Sequence, residues 1–134
     1  MSIITDLVAE IRAIPAVSST VGARVFPLVD QGDTLPSITY NSRGGSLEAF
    51  VKGSFGLRDT FMQLDVYSAD YAELDGIRNA IVDHFNGFIG NLNGSADDGG
   101  SFITGATIEN VRELVDTKSP IVFRVIIEIN FLSE

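Results

Sequence analysis

The stretch that decides the fold is DTFMQLDVYSADYAELDGIRNAIVDHF, residues 59–85. Its first part, Asp59 to Tyr67, alternates between two faces with the period of a β-strand. Ser68 then has the chemistry of an N-cap, and Asp70 suits the first turn of a helix. The apolar residues that follow recur at helical spacing: Tyr71, Leu74, Ile77, Ile81, Val82 and Phe85. The stretch therefore predicts a strand that runs directly into an amphipathic helix.

Upstream of this stretch, the pattern predicts one more helix and two strands. Ile3 to Ala13 has apolar residues at helical spacing, and Pro15 is expected to end that helix. Arg24 to Leu28 is short and contains Pro27, which is typical of a strand at the edge of a sheet. Ser37 to Ser42 alternates between apolar and polar residues and is predicted to be a second strand.

Between the second and third strands lies RGGSLEAFVKGSFGL, residues 43–57, which fits neither a helix nor a strand. Such a length is unusual for a connection inside a compact domain. Disordered loops, in turn, seldom carry so many large apolar side chains. These side chains are Leu47, Phe50, Val51 and Phe55. We expect an arm or hairpin that packs against a neighbouring subunit; the alternative is a loop folded back over its own core.

Downstream, the pattern predicts a loop and two strands. Residues 90–101, GNLNGSADDGGS, are expected to form an exposed flexible loop. Phe102 to Glu113 is predicted to be a strand with an irregular centre at Gly105, and Ile121 to Leu132 is the strongest strand pattern in the chain. This order of elements predicts a single α+β domain, residues 1–134. We expect a mainly antiparallel sheet packed against two helices.

The composition fits a domain with its own core. The chain has 134 residues, 45% of them hydrophobic, including nine Phe. A chain of this length buries roughly two-thirds of its unfolded surface. There is no Cys, so no disulfide and no thiolate metal site can form. The N-terminus lacks the basic region of a signal peptide and no apolar run is long enough for a bilayer, so we expect no membrane association.

The charge of the chain is strongly acidic. The net charge is −9, and the chain has only nine Lys and Arg residues. Because affinity for nucleic acid comes mainly from Lys and Arg, specific binding to DNA or RNA is not expected. Two interpretations of the acidity remain open: simple solubility, or a channel wall that DNA passes without sticking.

Residues that carry chemistry are few and isolated. His84 is the only histidine, and at the end of the second predicted helix it is expected to complement the helix dipole. Without Cys or a second His, the chain has no ligand set for zinc and no Ser-His catalysis. Asp97 and Asp98 lie in a glycine-rich loop, and residues 91–97 lack the closing Glu of an EF-hand loop. We expect no catalytic residue, no metal and no cofactor, and so no enzyme.

Three segments of the sequence resemble the tail-completion or tail-terminator proteins of long-tailed bacteriophages. They are Val21 to Pro27 after the N-terminal helix, Leu35 to Tyr40, and Leu64 to Glu73. The resemblance covers most of the chain, although residues 90–101 lie outside it. It implies an α+β subunit of a hexameric ring that caps the finished tail tube, stops its polymerisation and presents a surface to the head connector.

For this chain, the resemblance implies a homo-hexamer in the tail or neck of a virion, assembled in the cytoplasm of the bacterial host. The implied partners are the tail-tube protein and a head-tail connector or stopper protein, with DNA passing through the ring without specific binding. A closed ring needs head-to-tail contacts between copies. We expect these contacts from the arm and from the edge strand. The residues concerned are Leu47, Phe50, Val51 and Phe55 in the arm and Arg24, Val25 and Phe26 in the strand.

Three alternatives remain. One is another ring of the neck, such as a stopper or an adaptor. The second is the equivalent ring of a gene-transfer particle or of a phage-derived injection device. The third, from a different class, is a small-ligand-binding α+β domain with a pocket between sheet and helices. A ring predicts fixed stoichiometry, whereas a ligand-binding domain predicts a monomer or dimer and a pocket with convergent polar groups.

Overall fold

Six strands form one curled sheet, and three helices accompany it in the residues that the computed structural model describes, namely 3–22, 24–27, 35–44, 58–92, 102–116 and 121–133. The helices are α1 (Ile3–Ala13), α2 (Pro15–Thr20) and α3 (Tyr71–Phe85). The strands are β1 (Val25–Pro27), β2 (Ser37–Gly44), β3 (Arg58–Ser68), β4 (Gly90–Asn91), β5 (Phe102–Asp116) and β6 (Val122–Ser133).

The strand order is β1-β2-β3-β6-β5-β4. All neighbouring strands are antiparallel except β1 and β2, which are parallel, so the sheet is mixed. The two long central strands set the register, with Leu64 of β3 opposite Ile127 of β6. The predicted fold class, an α+β domain with a mainly antiparallel sheet, is confirmed.

The core lies between one face of the sheet and the helices. Alternate residues of β3 and β6 point to this side, which confirms the period-2 reading of both strands. Those that are fully buried are Met62, Leu64, Val66, Val125, Ile127, Ile129 and Phe131. The helices contribute Leu7, Ile11, Val17, Leu74, Ile77, Ile81 and Phe85. Each large side chain buried in this way contributes about 1.5–3 kcal/mol relative to an exposed one, so this layer dominates the stability.

The start of α3 differs from the expected cap. Asp70, not Ser68, is the N-cap, and its carboxylate accepts a hydrogen bond from the backbone N–H of Ala72 at 3.0 Å. Ser68 belongs to β3, where it pairs with Phe123. Its hydroxyl accepts from the Asp70 N–H at 3.0 Å and donates to Glu73 at 2.9 Å. The serine therefore supports the cap from the strand, because sheet pairing holds its backbone extended.

A second short helix follows α1 where the sequence predicted only a stop. Pro15 does end α1, as expected, but it also opens α2. Proline suits the first position of a helix, since its fixed φ is helical and its missing N–H has no partner there in any case. Val17 fixes α2 to the core, being fully buried.

Two predicted loop boundaries also differ. The expected arm, residues 43–57, loses its first two residues to β2, which continues to Gly44; residues 45–57 lie outside the described residues. The expected flexible loop, residues 90–101, begins as strand β4, followed by the fully buried Leu92. Residues 93–101 lie outside the described residues. A single buried leucine among Gly and Asn has no periodicity, so the pattern could not reveal β4.

The expected irregularity of β5 is confirmed. Its register against β6 shifts between Ile103 and Gly105, and it shifts again between Ile108 and Asn110. Such bulges increase the twist of a strand and rotate the side chains that follow. The strand also continues beyond its expected end at Glu113 as far as Asp116.

Candidate subunit interface at the edges of the sheet

The structure places three of the seven expected interface residues at one edge of the sheet. Arg24 directly precedes β1, while Val25 and Phe26 lie in it, and β1 is an edge strand as predicted. The side chain of Val25 faces its own core, with 2% exposed, and that of Phe26 is half-buried. The other four residues, Leu47, Phe50, Val51 and Phe55, lie outside the described residues.

The β1 edge is closed by contacts within the chain. The N–H of Ile38 donates to the carbonyl of Arg24 at 3.0 Å, so the carbonyl of Val25 points away from β2. That outward carbonyl accepts a hydrogen bond from Nη2 of Arg12 at 3.1 Å. Two residues on, at the next position of β1 whose backbone points away from β2, Pro27 has no N–H to offer. A charged side chain and a proline are the usual means of blocking an edge strand.

Arg24 is likewise engaged inside the chain. Its Nε donates to the carbonyl of Pro36 at 2.9 Å, and its Nη2 donates to the carbonyl of Thr20 at 2.8 Å. The guanidinium thus joins the end of α2 to the start of β2 and holds β1 between them. The β1 edge therefore offers a neighbour little beyond the ring of Phe26.

At the opposite edge of the sheet, most of the length of β5 has no strand partner among the described residues. The two-residue strand β4 pairs only with Phe102 and Ile103 of β5. Beyond it, the N–H of Gly87 donates to the carbonyl of Ala106 at 3.1 Å. From Thr107 onward, no strand of the described part of the chain pairs with the outer edge of β5. A row of backbone donors and acceptors is thus available for pairing.

Large apolar side chains are exposed along this open edge. Val111 is 38% exposed, Leu114 43% and Val115 52%, and Ile121, just before β6, is 51% exposed. We call these four side chains, with the outer edge of β5 from Thr107 to Val115, the β5 edge surface. An unpaired strand that carries a cluster of apolar side chains is typical of an interaction site.

An open groove adjoins the β5 edge surface on the side of the sheet away from the helices. Its volume is about 500 Å³, and it is lined by Tyr67, Leu114, Val115, Val122 and Arg124. The mouth is apolar on the β5 side and aromatic on the β3 side. A shallow groove of this kind suits the side chains of a docked segment better than a buried small ligand.

Arg124 and Asp65 form an ion pair on the same face of the sheet as the groove. Nη2 of Arg124 lies 2.5 Å from Oδ2 of Asp65, and the guanidinium carbon lies 5.6 Å from the ring centroid of Tyr67. Oδ1 of Asp65 accepts a hydrogen bond from Gln63 at 3.0 Å. Nε of Arg124 is buried without a hydrogen-bond partner among the described residues. The sequence analysis missed this pair; its one signal is the placement of opposite charges on the same face of neighbouring strands.

On the helix side, the one acidic side chain between Val111 and Val115 is neutralised. Glu113 accepts hydrogen bonds from the hydroxyl of Tyr71 at 3.0 and 2.9 Å. It also forms an ion pair with Arg78, which pairs in addition with Asp75. The ring of Tyr71 packs edge-on against Phe123, with 5.6 Å between ring centroids. Helix α3 therefore contacts β5 on the core side of the sheet, where Arg78 compensates the negative charge of Glu113.

His84 connects the end of α3 to α1. It does lie in the last turn of α3, as expected, but its Nε2 is 2.5 Å from Oε2 of Glu10 in α1. Its ring packs against Phe85 and Phe88, with centroid distances of 4.9 and 5.4 Å. Only 8% of Glu10 is exposed, so the contact is largely removed from solvent. The pair joins the two long helices.

The described residues contain no grouped metal ligands. Within them, no three His, Cys, Asp or Glu side chains form a group that would hold a metal ion. None of the helices described is both long and apolar enough to cross a membrane. Asp97 and Asp98, the paired carboxylates considered from the sequence, lie outside the described residues. What the described surface presents is an open strand edge and an adjoining groove.

These features define an α+β domain in which, among the described residues, one edge of the sheet carries exposed apolar side chains and no strand partner. The family model described as Tail completion protein gp17 matches residues 5–128, so the chain belongs to that family. The resemblance seen in the sequence is thereby confirmed. This is a family of structural tail proteins of the virion and not a family of enzymes, and the chain is a structural component of a phage-type tail.

A solved structure extends the comparison at the level of fold. The chain is similar to a chain in a structure titled "Virion of native gene transfer agent (GTA) particle", with 13% sequence identity and a TM-score of 0.61. The similarity covers 99% of this chain and 98% of that one. At this identity the likeness shows a shared fold. No curated protein matches the chain.

Proposed function

We propose that the protein is the ring subunit that caps the tail tube, ends its polymerisation and joins the tail to the head connector. The observation that carries the proposal is the open β5 edge in a chain whose match to the tail completion family spans residues 5–128. A cap must bind the last ring of a growing tube and then offer no equivalent surface for further growth. A sheet with one open and one closed edge provides such a difference between its two sides.

The proposed assembly is a homo-hexamer. A closed ring is built from heterologous contacts, in which one surface of each copy binds a different surface of the next. The two edges of this sheet differ in the required way, since β1 is closed by Arg12 and Pro27 and β5 is open. The arm residues Leu47, Phe50, Val51 and Phe55 and the β1 residues Arg24, Val25 and Phe26 remain the proposed sources of these contacts. Because the side chain of Val25 is buried and its outward carbonyl is bound by Arg12, the ring of Phe26 is the part of β1 best placed for such a contact.

The dimensions and charge of such a ring suit the passage of DNA. A chain of this length has a radius of gyration of about 14 Å, so six copies around a ring leave a hole about one subunit wide, roughly 36 Å. The six would together carry a charge of −54, six times −9. Negative walls repel the phosphate backbone, so DNA passes without being held.

In this proposal the ring lies in the tail or neck of the virion and is assembled in the bacterial cytoplasm. Its partners are further copies of itself, the tail-tube protein on one side and a connector or stopper protein on the other. No cofactor, metal or membrane takes part. DNA is a passenger of the ring and not a specific ligand.

A second candidate is the equivalent ring of a gene-transfer particle, which the fold similarity to a chain of a gene transfer agent virion favours. A further neck ring, such as a stopper or adaptor, would use the same contacts. The small-ligand-binding alternative gains no support from the space between sheet and helices, because core side chains such as Leu64, Ile77 and Ile127 occupy it.

The proposal is tested by the mass of the purified protein in light scattering, alone and mixed with the tail-tube protein of the same particle. We expect a species of six times 14.4 kDa in at least one of the two samples. Tails assembled without the protein should then vary in length. A protein that stays monomeric beside the tube, with tails of normal length in its absence, would contradict the proposal.

A further inference from the structure

We infer that the distal end of the β5 edge surface, formed by Leu114, Val115 and Ile121, binds residues 45–57 of a neighbouring copy. The inference rests on the proposed ring and identifies the pair of surfaces that closes it. The β5 side of the contact is described in the structure. The partner segment is identified by its chemistry, by its length and by the points where it leaves and rejoins the sheet.

The β5 edge can accept an extended segment as an additional strand. Its outer backbone groups beyond Thr107 have no strand partner among the described residues. Addition of a strand to a free edge supplies main-chain hydrogen bonds, while neighbouring pockets select the side chains. The groove beside Leu114 and Val115 has a volume of about 500 Å³, and Tyr67, Val122 and Arg124 complete its lining.

The apolar character of the two surfaces is complementary. Leu114, Val115 and Ile121 are each between 43% and 52% exposed. The middle of the segment carries Phe50 and Val51, large apolar side chains that would gain by being removed from water.

The charges of the two surfaces also permit close approach. Within residues 45–57, the charges of Glu48 and Lys52 cancel. On β5, the charge of Glu113 is offset by its neighbour Arg112 and by its ion pair with Arg78, and the other acidic residues of the strand are Glu109 and Asp116. Because the segment carries no net charge, it can approach a neighbouring copy of net charge −9 without adding to the repulsion between copies.

Chain length excludes binding within the same copy. The segment leaves β2 at Gly44 and rejoins the sheet at Arg58, and these two ends are adjacent because Gly44 pairs with Thr60. A segment that leaves and returns over 13 residues reaches at most about 20 Å, at about 3.3 Å per extended residue.

The distal end of β5 is farther away than this. Val115 pairs with Phe123, which pairs with Ser68, at the opposite end of β3 from Arg58. The 11 residues of β3 span about 33 Å, so the segment falls short of Val115 in its own copy. It can meet this surface only on a neighbour. Because the two surfaces differ, the contact is head-to-tail, the kind that closes a ring.

Engineered disulfides test the contact directly, since the chain has no native Cys. One preparation carries Leu114→Cys and a second carries Phe50→Cys. The two are mixed, assembled with the tail-tube protein, oxidised and separated on a non-reducing gel. A matched control replaces Leu114→Cys by Ile89→Cys, which changes an apolar residue that is 68% exposed but lies outside the β5 edge surface.

We expect the Phe50→Cys and Leu114→Cys mixture to give a disulfide-linked dimer at about ten times the yield of the Ile89→Cys control, because the ring raises the local concentration of one thiol around the other. A Leu114→Lys variant should lose the six-fold mass and unfold at the wild-type temperature. An Ile89→Lys variant should keep both.

Two outcomes would overturn the inference and leave the proposed function standing: a wild-type six-fold species with no such cross-link, or one in which Leu114→Cys links only to itself. Failure of the wild-type protein to form any six-fold species would instead remove the proposed function, and the inference with it.

Discussion

Single side chains decide where α3 begins and how it is held. Asp70 caps the helix by accepting the N–H of Ala72, and the hydroxyl of Ser68 accepts the N–H of Asp70 itself. Farther along the helix, Arg78 forms an ion pair with Glu113 of β5. These short polar contacts fix the angle at which the helix leaves β3 and crosses the sheet.

We predict that Asp70→Ala lowers the free energy of unfolding by about 1 kcal/mol, the usual cost of losing an N-cap side chain. Urea denaturation followed by circular dichroism measures the change. The matched control is Asp83→Ala, which removes the same charge from an exposed position near the other end of α3. Equal destabilisation by the two variants would mean that the charge, and not the cap, accounts for the effect.

At the scale of elements, β6 is the centre of the molecule. It pairs along nearly its whole length with β3 on one side and β5 on the other. Ile127 lies in the middle of this strand, fully buried, opposite Leu64 and Val111. Strand β6 thus connects the buried core to the strand that carries the β5 edge surface.

We predict that Ile127→Ala costs about 2–5 kcal/mol of stability, because it leaves a cavity that its neighbours cannot fill. Ile121→Ala makes the same chemical change at a position that is 51% exposed and should change the stability by no more than about 0.5 kcal/mol. Thermal unfolding of the two variants gives the comparison. A small effect at Ile127 would contradict the assignment of the core to this face of the sheet.

Elements with a strong periodic signal were predictable from the sequence. The bounds of α1 and the paths of β3, α3 and β6 follow from apolar spacing, and Gly105 marks the bulge in β5. Elements without such a signal were not: α2 has six residues, and β4 has two and is fixed by Leu92. Short elements are decided by tertiary contacts, which a local pattern does not contain.

The candidate interface was predictable only in part. The edge position of β1 follows from its shortness and from Pro27. The contact between Arg12 and the carbonyl of Val25 joins residues far apart in sequence, and no local pattern announces it. The open edge of β5 depends on strand order, since β5 would be covered if β4 were longer. Strand order is a property of the whole sheet and is not carried by any single segment.

At the scale of the whole molecule, the acidic charge opposes the association of copies. Each copy brings a charge of −9, while the proposed contact between copies is apolar and nearly neutral. Assembly is therefore a balance between local apolar attraction and repulsion spread over the surface.

We predict that salt strengthens assembly of the ring. At about 0.1 M ionic strength the repulsion is screened beyond roughly 10 Å, and at about 1 M beyond roughly 3 Å, while apolar contacts are retained. Sedimentation at increasing NaCl should show a rising fraction of the six-fold species. A falling fraction would indicate that ion pairs between copies, and not apolar contacts, hold the ring together.

The closed β1 edge limits how far unassembled copies of the protein can pair with one another. A protein that exposes an unpaired strand can associate edge to edge into cross-β ribbons of unlimited length. Such ribbons need two available edges on every molecule, one to receive and one to pass the pairing on. The carbonyl of Val25 already accepts a hydrogen bond from Arg12, and Pro27 has no N–H to donate. Pairing between the β5 edges of two molecules would therefore leave no second edge for a third molecule. Arg12 and Pro27 thus guard against fibre formation while leaving β5 available.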